Sequence, residues 1–442
     1  MRSSHNLAGI ETTFDEDNLV ANAGLLAPGA LAQKLGVAEL VDEHLHLPTD
    51  EVGRANGGTK AITGIGAMLA GGDSIADIDI LRAGAGRELF DQGRAPSTIG
   101  TWLRGFKWAS VRMLDRVSRR VLARAWQAGL GPDLDADLTV DFDSTICEVY
   151  GTGKQGARFG YTGVRGYHPL LATLAGTGEV AHARMRGGNA GAARGAGSFV
   201  RETIGRIRGA GARGKLTFRA DSAFYSRAFV TACRDHDVAF SVTVKTGITA
   251  IRRAIDAIDD DAWTPIPYWL DGGADVAETT YTAFKDTKDQ TELRLIVRRV
   301  RPTPGSQLAL DVVFDYHAIL TDRDGETLEL EADHRAHAAV ELAIRDLRAG
   351  GLAHVPSGIF TANAAWLALA VLAHNLGRWT LAAAGEGWSK ATTQTLRTKL
   401  VAMPARLVHS ARQLRLRAPT NWPWREAFTA ALARIAAIPA PT

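Results

Sequence analysis

The 442 residues are 46% hydrophobic and 22% charged, with a net charge of +3. That composition excludes a disordered chain and leaves room for roughly two to four domains around a sizeable core. No stretch approaches the ~20 apolar residues that span a bilayer, and the start, Met-Arg-Ser-Ser-His-Asn-Leu, lacks the apolar run of a secretory signal. No membrane partner is expected, and the cytoplasm is the expected compartment. Cys147 and Cys233 are the only cysteines, too few for a disulfide framework or a four-ligand zinc site, and a buried free thiol is the expectation for Cys147.

Charge is unevenly spread. The first hundred residues are acid-rich, whereas residues 151–220 set Lys154, Arg158, Arg165, Arg184, Arg186, Arg194 and further bases against only Glu179 and Glu202. A second run, between Glu386 and Glu426, holds Arg397, Arg406, Arg412, Arg415 and Arg417 with no acid at all. Such tracts attract a phosphate backbone; a solvated surface balanced by acids elsewhere in the fold is the competing explanation.

Residues 1–130 are expected to form a mostly helical DNA-binding region, with apolar residues at helical spacing over Leu31–Asp42 and Ala61–Leu69. Ser74–Arg82 and Pro96–Lys107, capped at Ser97 and presenting Arg104 and Lys107, would allow a helix–turn–helix, although a plain helical hairpin packed on the core is favoured. From 131 to 258 the period changes. Leu138–Tyr150, Pro169–Ala175 and Val180–Met185 are expected as an antiparallel meander. Helix Phe199–Gly209, strand Lys215–Ala220, helix Ala228–Asp235 and strand Val238–Val244 should follow. Three antiparallel strands, helix, strand, helix, strand is the order of an RNase H-like α/β core with a mixed sheet. Residues 259–325 are expected to insert a β-rich subdomain, with strands at Thr279–Phe284, Glu292–Val300 and Leu310–Leu320 and turn-rich linkers such as Pro302–Ser306. The core should resume at 326–385 with a helix over Leu328–Leu347 and a buried apolar helix over Ile359–Leu381. A basic helical region, 386–442, should close the chain.

Three acids stand in settings that suit metal-dependent phosphoryl transfer: Asp143 at a strand end, Asp221 after the strand Lys215–Ala220, and Glu341 on the helix. Hard divalent cations need oxygen ligands held on rigid elements. Period two puts Asp141 on the same strand face as Asp143, as a further ligand or a supporting residue. Asp221 has the alternative role of capping the next helix. Along the helix, His334, His337, Glu341, Arg345 and Arg348 form one polar stripe opposite Val340, Ile344 and Leu347, and solvent exposure alone would also explain it. Trp263 and Trp269 are candidates to stack on a base turned out of a duplex end, or else belong to the β-region's core.

These residues resemble the DDE-type transposases of bacterial insertion sequences. The likeness is to the insertion sequence 1380 family, related to the insertion sequence 4 superfamily, and to transposase DDE domain group 1. Ala95-Pro-Ser-Thr-Ile-Gly-Thr-Trp-Leu-Arg-Gly-Phe106 resembles the family's N-terminal signature. Val140-Asp-Phe-Asp-Ser-Thr145 with Gly166-Tyr-His-Pro-Leu170 resembles its first-aspartate region, and Arg219-Ala-Asp-Ser-Ala-Phe-Tyr-Ser226 its second. The last motif, Tyr-x-x-Arg-x-x-x-Glu-x-x-x-x-x-x-Lys in relatives, stands here as His334, His337, Glu341 and Arg348. The resemblance implies cut-and-paste transposition by a nucleoid-associated protein. It would act on double-stranded DNA, both terminal inverted repeats and target, as a homodimer and without an organic cofactor. Asp143, Asp221 and Glu341 would hold two Mg²⁺ ions roughly 4 Å apart, with Mn²⁺ able to substitute. His337, Arg345 and Arg348 would orient phosphates, and Arg412, Arg415 and Arg417 would grip DNA. A nuclease of the same fold without strand transfer, or a DNA-binding remnant, are the rival functions.

Overall fold

The computed structural model describes residues 7–48, 50, 53–89, 93–270, 272–302 and 314–439. After a two-residue strand β1 (Leu19–Val20), the chain runs through α1 (Leu26–Lys34), α2 (Val37–His44), α3 (Gly57–Ala70), α4 (Gly86–Leu89), α5 (Pro96–Arg104) and α6 (Trp108–Gln127). This region is helical as expected, but the helix–turn–helix does not form. Its first partner is a six-residue 3₁₀ helix, Ala76–Leu81. Ala95, not Ser97, caps α5, because Pro96 occupies the first turn, where a missing N–H costs nothing.

The core follows: β2 (Leu138–Ser144), β3 (Cys147–Glu148), β4 (Arg158–Phe159), β5 (Arg165–Tyr167), β6 (Leu170–Leu174), β7 (Val180–Arg184), α7 (Ala196–Gly209), β8 (Leu216–Ala220), α8 (Arg227–Arg234) and β9 (Ala239–Val244). β2, β6 and β7 are antiparallel neighbours, and β8 and β9 continue in parallel from the other side of β2. The order β9-β8-β2-β6-β7 is the RNase H-like arrangement. The expected strand Leu138–Tyr150 stops at Ser144, and the chain detours through a separate sheet of order β3-β5-β4 before returning as β6. That detour depends on Gly166, where a Cβ would lie 2.3 Å from the carbonyl oxygen of Cys147. One face of β2 buries Val140 and Phe142. Phe142 packs against Phe199, Phe218, Phe224 and Phe229 at centroid distances of 4.7–6.1 Å, so truncating it would cost about 3–5 kcal/mol.

α9 (Thr249–Asp256) leads into the insertion, which holds β10 (Thr264–Ile266), β11 (Ala274–Ala283), β12 (Thr291–Val300) and β13 (Asp315–Thr321). Positions 303–313, which include the start of the expected strand Leu310–Leu320 and most of the Pro302–Ser306 linker, lie outside the described residues. The insertion does not form a sheet of its own. β13 pairs antiparallel with β9, Ala318 opposite Val244, so the meander extends the core sheet to nine strands among the described residues, in the order β10-β11-β12-β13-β9-β8-β2-β6-β7.

The chain closes with α10 (Thr327–Arg335), α11 (Val340–Arg348), α12 (Phe360–Ala384), α13 (Thr393–Leu396), β14 (Ala405–Ser410), β15 (Gln413–Arg417) and α14 (Arg425–Ala437). Buried as expected, α12 packs against α3, α6, α14 and β7. The region after 386 is not wholly helical. Ala411 and Arg412 both take positive φ, 51° and 63°, the two-residue turn that folds back an antiparallel hairpin, and β1 adds to its β14 side. Cys147 and Cys233 are buried free thiols. Among the described residues, no helix is long and apolar enough to cross a membrane.

Candidate active site

Because Val140 and Phe142 fill the aromatic core, alternation turns Asp141 and Asp143 to the opposite face of β2. The parallel register sets Phe142 beside Ala220, so Asp143 and Asp221 leave adjacent strand ends about 5 Å apart, the spacing of neighbouring strands. Asp143 accepts a hydrogen bond from the Ser144 amide at 2.6 Å, and Asp221 accepts one from the Ala223 amide at 3.1 Å. Asp221 does not cap α8; the Ser226 hydroxyl does, accepting from the Phe229 amide. Burial pushes the Asp143 carboxyl up to about 6. The like charges of Asp221 and Glu341 push the same way, against the Ser144 amide and His337. Burial also raises Asp221, opposed by the Ala223 and Phe224 amides, His337 and His168.

Asp141 is held differently. It is fully buried and faces Arg219 across the β2–β8 register, with both oxygens taken by the guanidinium at 2.8 and 2.9 Å. His337 Nδ1 adds a third contact at 2.9 Å. Arg219 also reaches Asp333 on α10, which is held in turn by Arg323 at 2.5 Å. Of the two roles the sequence left open for Asp141, further ligand or supporting residue, these contacts to a guanidinium and an imidazole are those of a supporting residue. It ties the strands to the segment that carries Glu341.

That segment is not one helix. Between α10 and α11 the backbone tightens into a 3₁₀ turn, Ala336–Ala339, where side chains three apart eclipse. His334 and His337 use that geometry, stacked 6.1 Å apart and tilted 26°, to reach different partners. His334 is buried against Ser241 and Thr243, the latter at 2.9 Å, and burial lowers it to about 3. It therefore leaves the expected polar stripe and sits neutral beneath it. Glu341, in the first turn of α11, is exposed, as are Arg345 and Arg348, while Val340 and Leu347 are buried. α11 lies against β2. Asp143, Asp221, His337 and Glu341 thus share one electrostatic field. Among the described residues, no three carboxylate, imidazole or thiolate groups converge on a single ion position.

The sequence assigned no individual role to Arg219, His168 or Arg186, whereas Ser144 was expected to support the Asp143 carboxylate, to which its amide donates. His168 Nδ1 donates to the Ala190 carbonyl at 2.8 Å, which leaves Nε2 to accept from the Ser144 hydroxyl at 2.8 Å. Arg186 braces the His168 carbonyl from Nε at 3.0 Å. The signal for Arg219 was its place two residues before Asp221, matching Asp141 two before Asp143; that for His168 was the Gly166–Leu170 motif itself.

The remaining expected DNA contacts sit on other elements. Arg104 is exposed on α5, bonded to Thr101, and Lys107 is exposed just before α6. Arg412, Arg415 and Arg417 are exposed on the hairpin, where Arg417 stands opposite Arg406. Arg299 covers one face of the half-buried Trp263 ring at 4.3 Å, and the Tyr316 ring lies 6.2 Å away, edge to face. Trp269 is 79% exposed.

A sequence model of the family described as transposase DDE domain group 1 matches residues 3–440 of the chain. No curated protein matches it. Among solved structures, the cryo-EM structure of the piggyBac transposase synaptic complex with hairpin DNA superposes with a TM-score of 0.41 and 12% identity, over 86% of this chain and 80% of that one.

Proposed function

Because the chain belongs to the transposase DDE domain group 1 family, we propose that it moves an insertion sequence by cut-and-paste. On this reading it binds the terminal inverted repeats, cuts them free, and joins the released 3′-hydroxyl ends to target DNA. The carrying observation is the pair Asp143 and Asp221 on adjacent strand ends within the field of Glu341, beside an acid, Asp141, that ion pairing has closed.

The donor set fits a hard divalent cation. All three acids offer oxygen, and burial, together with the like charges of Asp221 and Glu341, raises the proton affinity of Asp143, a cost that a bound cation offsets. Mg²⁺ commonly takes only one or two protein carboxylates and completes its shell with water and substrate phosphate, so a three-donor cage, which the described residues do not form, is not required. When bound by Asp143, Asp221 and Glu341, two Mg²⁺ or Mn²⁺ ions would supply Lewis-acid polarisation of the phosphate and an activated oxygen nucleophile.

The chain's own part is positioning. His337, anchored on Asp141, lies near enough to Asp143 and Asp221 to favour their ionised forms. The Asp141–Arg219–Asp333 network fixes the Glu341 segment over the strands. Arg345 and Arg348 project from the same helix as Glu341 to meet the flanking phosphates. Cutting two ends together calls for two copies on DNA. The test is Asp221→Asn: cutting of end DNA is expected to vanish while end binding stays near wild type, and equal loss of both would sink the assignment. Joining of cut ends to new DNA separates this function from that of a nuclease.

A further inference from the structure

β7 is the last strand of the nine-stranded sheet and pairs on one side only, with β6. At Val180 its outer side is closed by Asn375 of α12. The Asn375 side-chain amide accepts from the Val180 N–H and donates to the Val180 carbonyl, both at 2.9 Å, as a neighbouring strand would. Among the described residues, no strand pairs with the outer edge from Ala181 to Arg184. An open edge of this kind accepts a further strand. A groove of about 360 Å³ follows it between α6, α7 and α12, lined by Val111, Met185, Leu367 and Val371. Two ion pairs in the groove, Arg184 with Glu202 and Arg206 with Asp115, cancel. Arg112 and, in the adjoining cleft, Arg116 and Arg119 are exposed bases with no ion pair among the described residues, so the groove carries surplus positive charge.

The chain also carries a segment suited to that edge. Every residue from Gly9 to Leu19 is exposed, and residues 10–16 form neither helix nor strand. Phe14 is 102% exposed and Ile10 65%. The stretch Ile10-Glu-Thr-Thr-Phe-Asp15 is rich in the β-branched and aromatic residues that favour strands. When extended, period two sets Ile10, Thr12 and Phe14 on one side and Glu11, Thr13 and Asp15 on the other. Between Leu7 and Asn18 stand Glu11, Asp15, Glu16 and Asp17 and no base. The root of this arm is fixed, with Leu19 opposite Arg406 on β14 and Glu16 paired with Arg406 at 3.1 Å. An apolar, acidic arm thus complements an apolar, basic groove. A phosphate backbone would satisfy the arginines but leave the apolar lining and the strand edge unused, which favours the arm over DNA. Because the arm stands clear of its own chain, the acceptor is a second copy, and reciprocal exchange gives a two-fold pair.

We propose that Ile10–Asp15 of one copy adds as a strand to the outer edge of β7 in a second copy, with Ile10 and Phe14 entering the groove and Glu11 and Asp15 meeting its arginines. Two copies are then joined before DNA is bound. The proposal goes beyond the transposase reading and stands without it.

The test is sedimentation equilibrium of the full chain without DNA. Wild type is expected to dimerise as its concentration rises. Ile10→Asp with Phe14→Asp should raise the dissociation constant about a hundredfold or more, since two large apolar side chains per arm lose their burial. Charge reversal separates this from a folding defect. Glu11→Lys with Asp15→Lys reverses the arm, and Arg112→Glu with Arg116→Glu reverses the groove. Each of these chains alone should stay monomeric where wild type is dimeric. An equimolar mixture of the two should dimerise, because reversed arm then meets reversed groove and native arm meets native groove. A wild type that stays monomeric, as it would with each arm on its own groove, overturns the proposal. So does an Ile10→Asp, Phe14→Asp chain that dimerises like wild type, or a mixture that stays monomeric. Groove reversal that weakens DNA binding yet leaves dimerisation intact would overturn it in favour of a phosphate backbone as the occupant.

Discussion

Asp141 and Asp143 leave the same face of one strand two positions apart, and the fold treats them in opposite ways. Asp141 is fully buried, with both oxygens on Arg219 and a further contact from His337. Asp143 is half-buried at the strand end, holds one backbone amide, and lies in the field of two other acids. A buried charge whose hydrogen bonds are satisfied is structural. A carboxylate kept near like charges with few partners costs stability, and such arrangements mark sites where an ion or a proton is expected to arrive.

Replacing each acid should break this comparison most visibly. Asp143→Asn is expected to abolish cutting. Asp141→Asn, which removes a support rather than a ligand, should lower it roughly 10–100-fold, read from single-turnover cleavage of end DNA. Equal losses would erase the distinction. The next effect falls on stability. Arg219→Met leaves Asp141 buried without its partner and should cost about 3–5 kcal/mol in urea unfolding, and adding Asp141→Asn should recover part of that, because the two residues form one interaction.

A smaller effect sharpens the other side. The Asp143 carboxyl stands at about 6 against an ordinary 3.8, so between those values the folded chain binds more protons than the unfolded one. Stability from this group is therefore present at low pH and lost as pH rises through about 6, on the order of 3 kcal/mol. Without divalent cation, the difference in stability between wild type and Asp143→Asn should follow that window, and Mg²⁺ should cancel it. A flat difference would mean that Asp143 carries no such strain. The weakest effect belongs to the hairpin. Removing Arg412, Arg415 and Arg417 together should lower the slope of log affinity against log salt by roughly 2–3, and an unchanged slope would take the hairpin off the DNA.

Much of the core was legible because its strands alternate cleanly and its turns are marked by glycine. Leu170–Leu174, Val180–Arg184, Leu216–Ala220 and Ala239–Val244 fall within or close to the spans their period implied. What escaped depended on partners distant in sequence. The pairing of Ala318 with Val244, which merges the insertion with the core sheet, has no local signature. The break at Ala336–Ala339 arises because His334 and His337 reach Thr243 and Asp141, far away along the chain. The hairpin Ala405–Arg417 was missed because its turn, Ala411-Arg412, lacks the glycine or asparagine that usually marks positive φ. At the site, the places of Asp143 and Asp221 followed from strand ends and spacing. The closure of Asp141 did not, since it needed the β2–β8 register to bring Arg219 opposite.

Glu341 is the acid on which the comparison leans hardest, because it alone comes from a helix and stands exposed at the first turn of α11. Excision of a marker flanked by the DNA that borders this gene, with wild type and Glu341→Gln side by side, tests the account most directly. Excision with wild type and none with the variant is the predicted result, and excision with both would contradict the assignment of Asp143, Asp221 and Glu341 to one site.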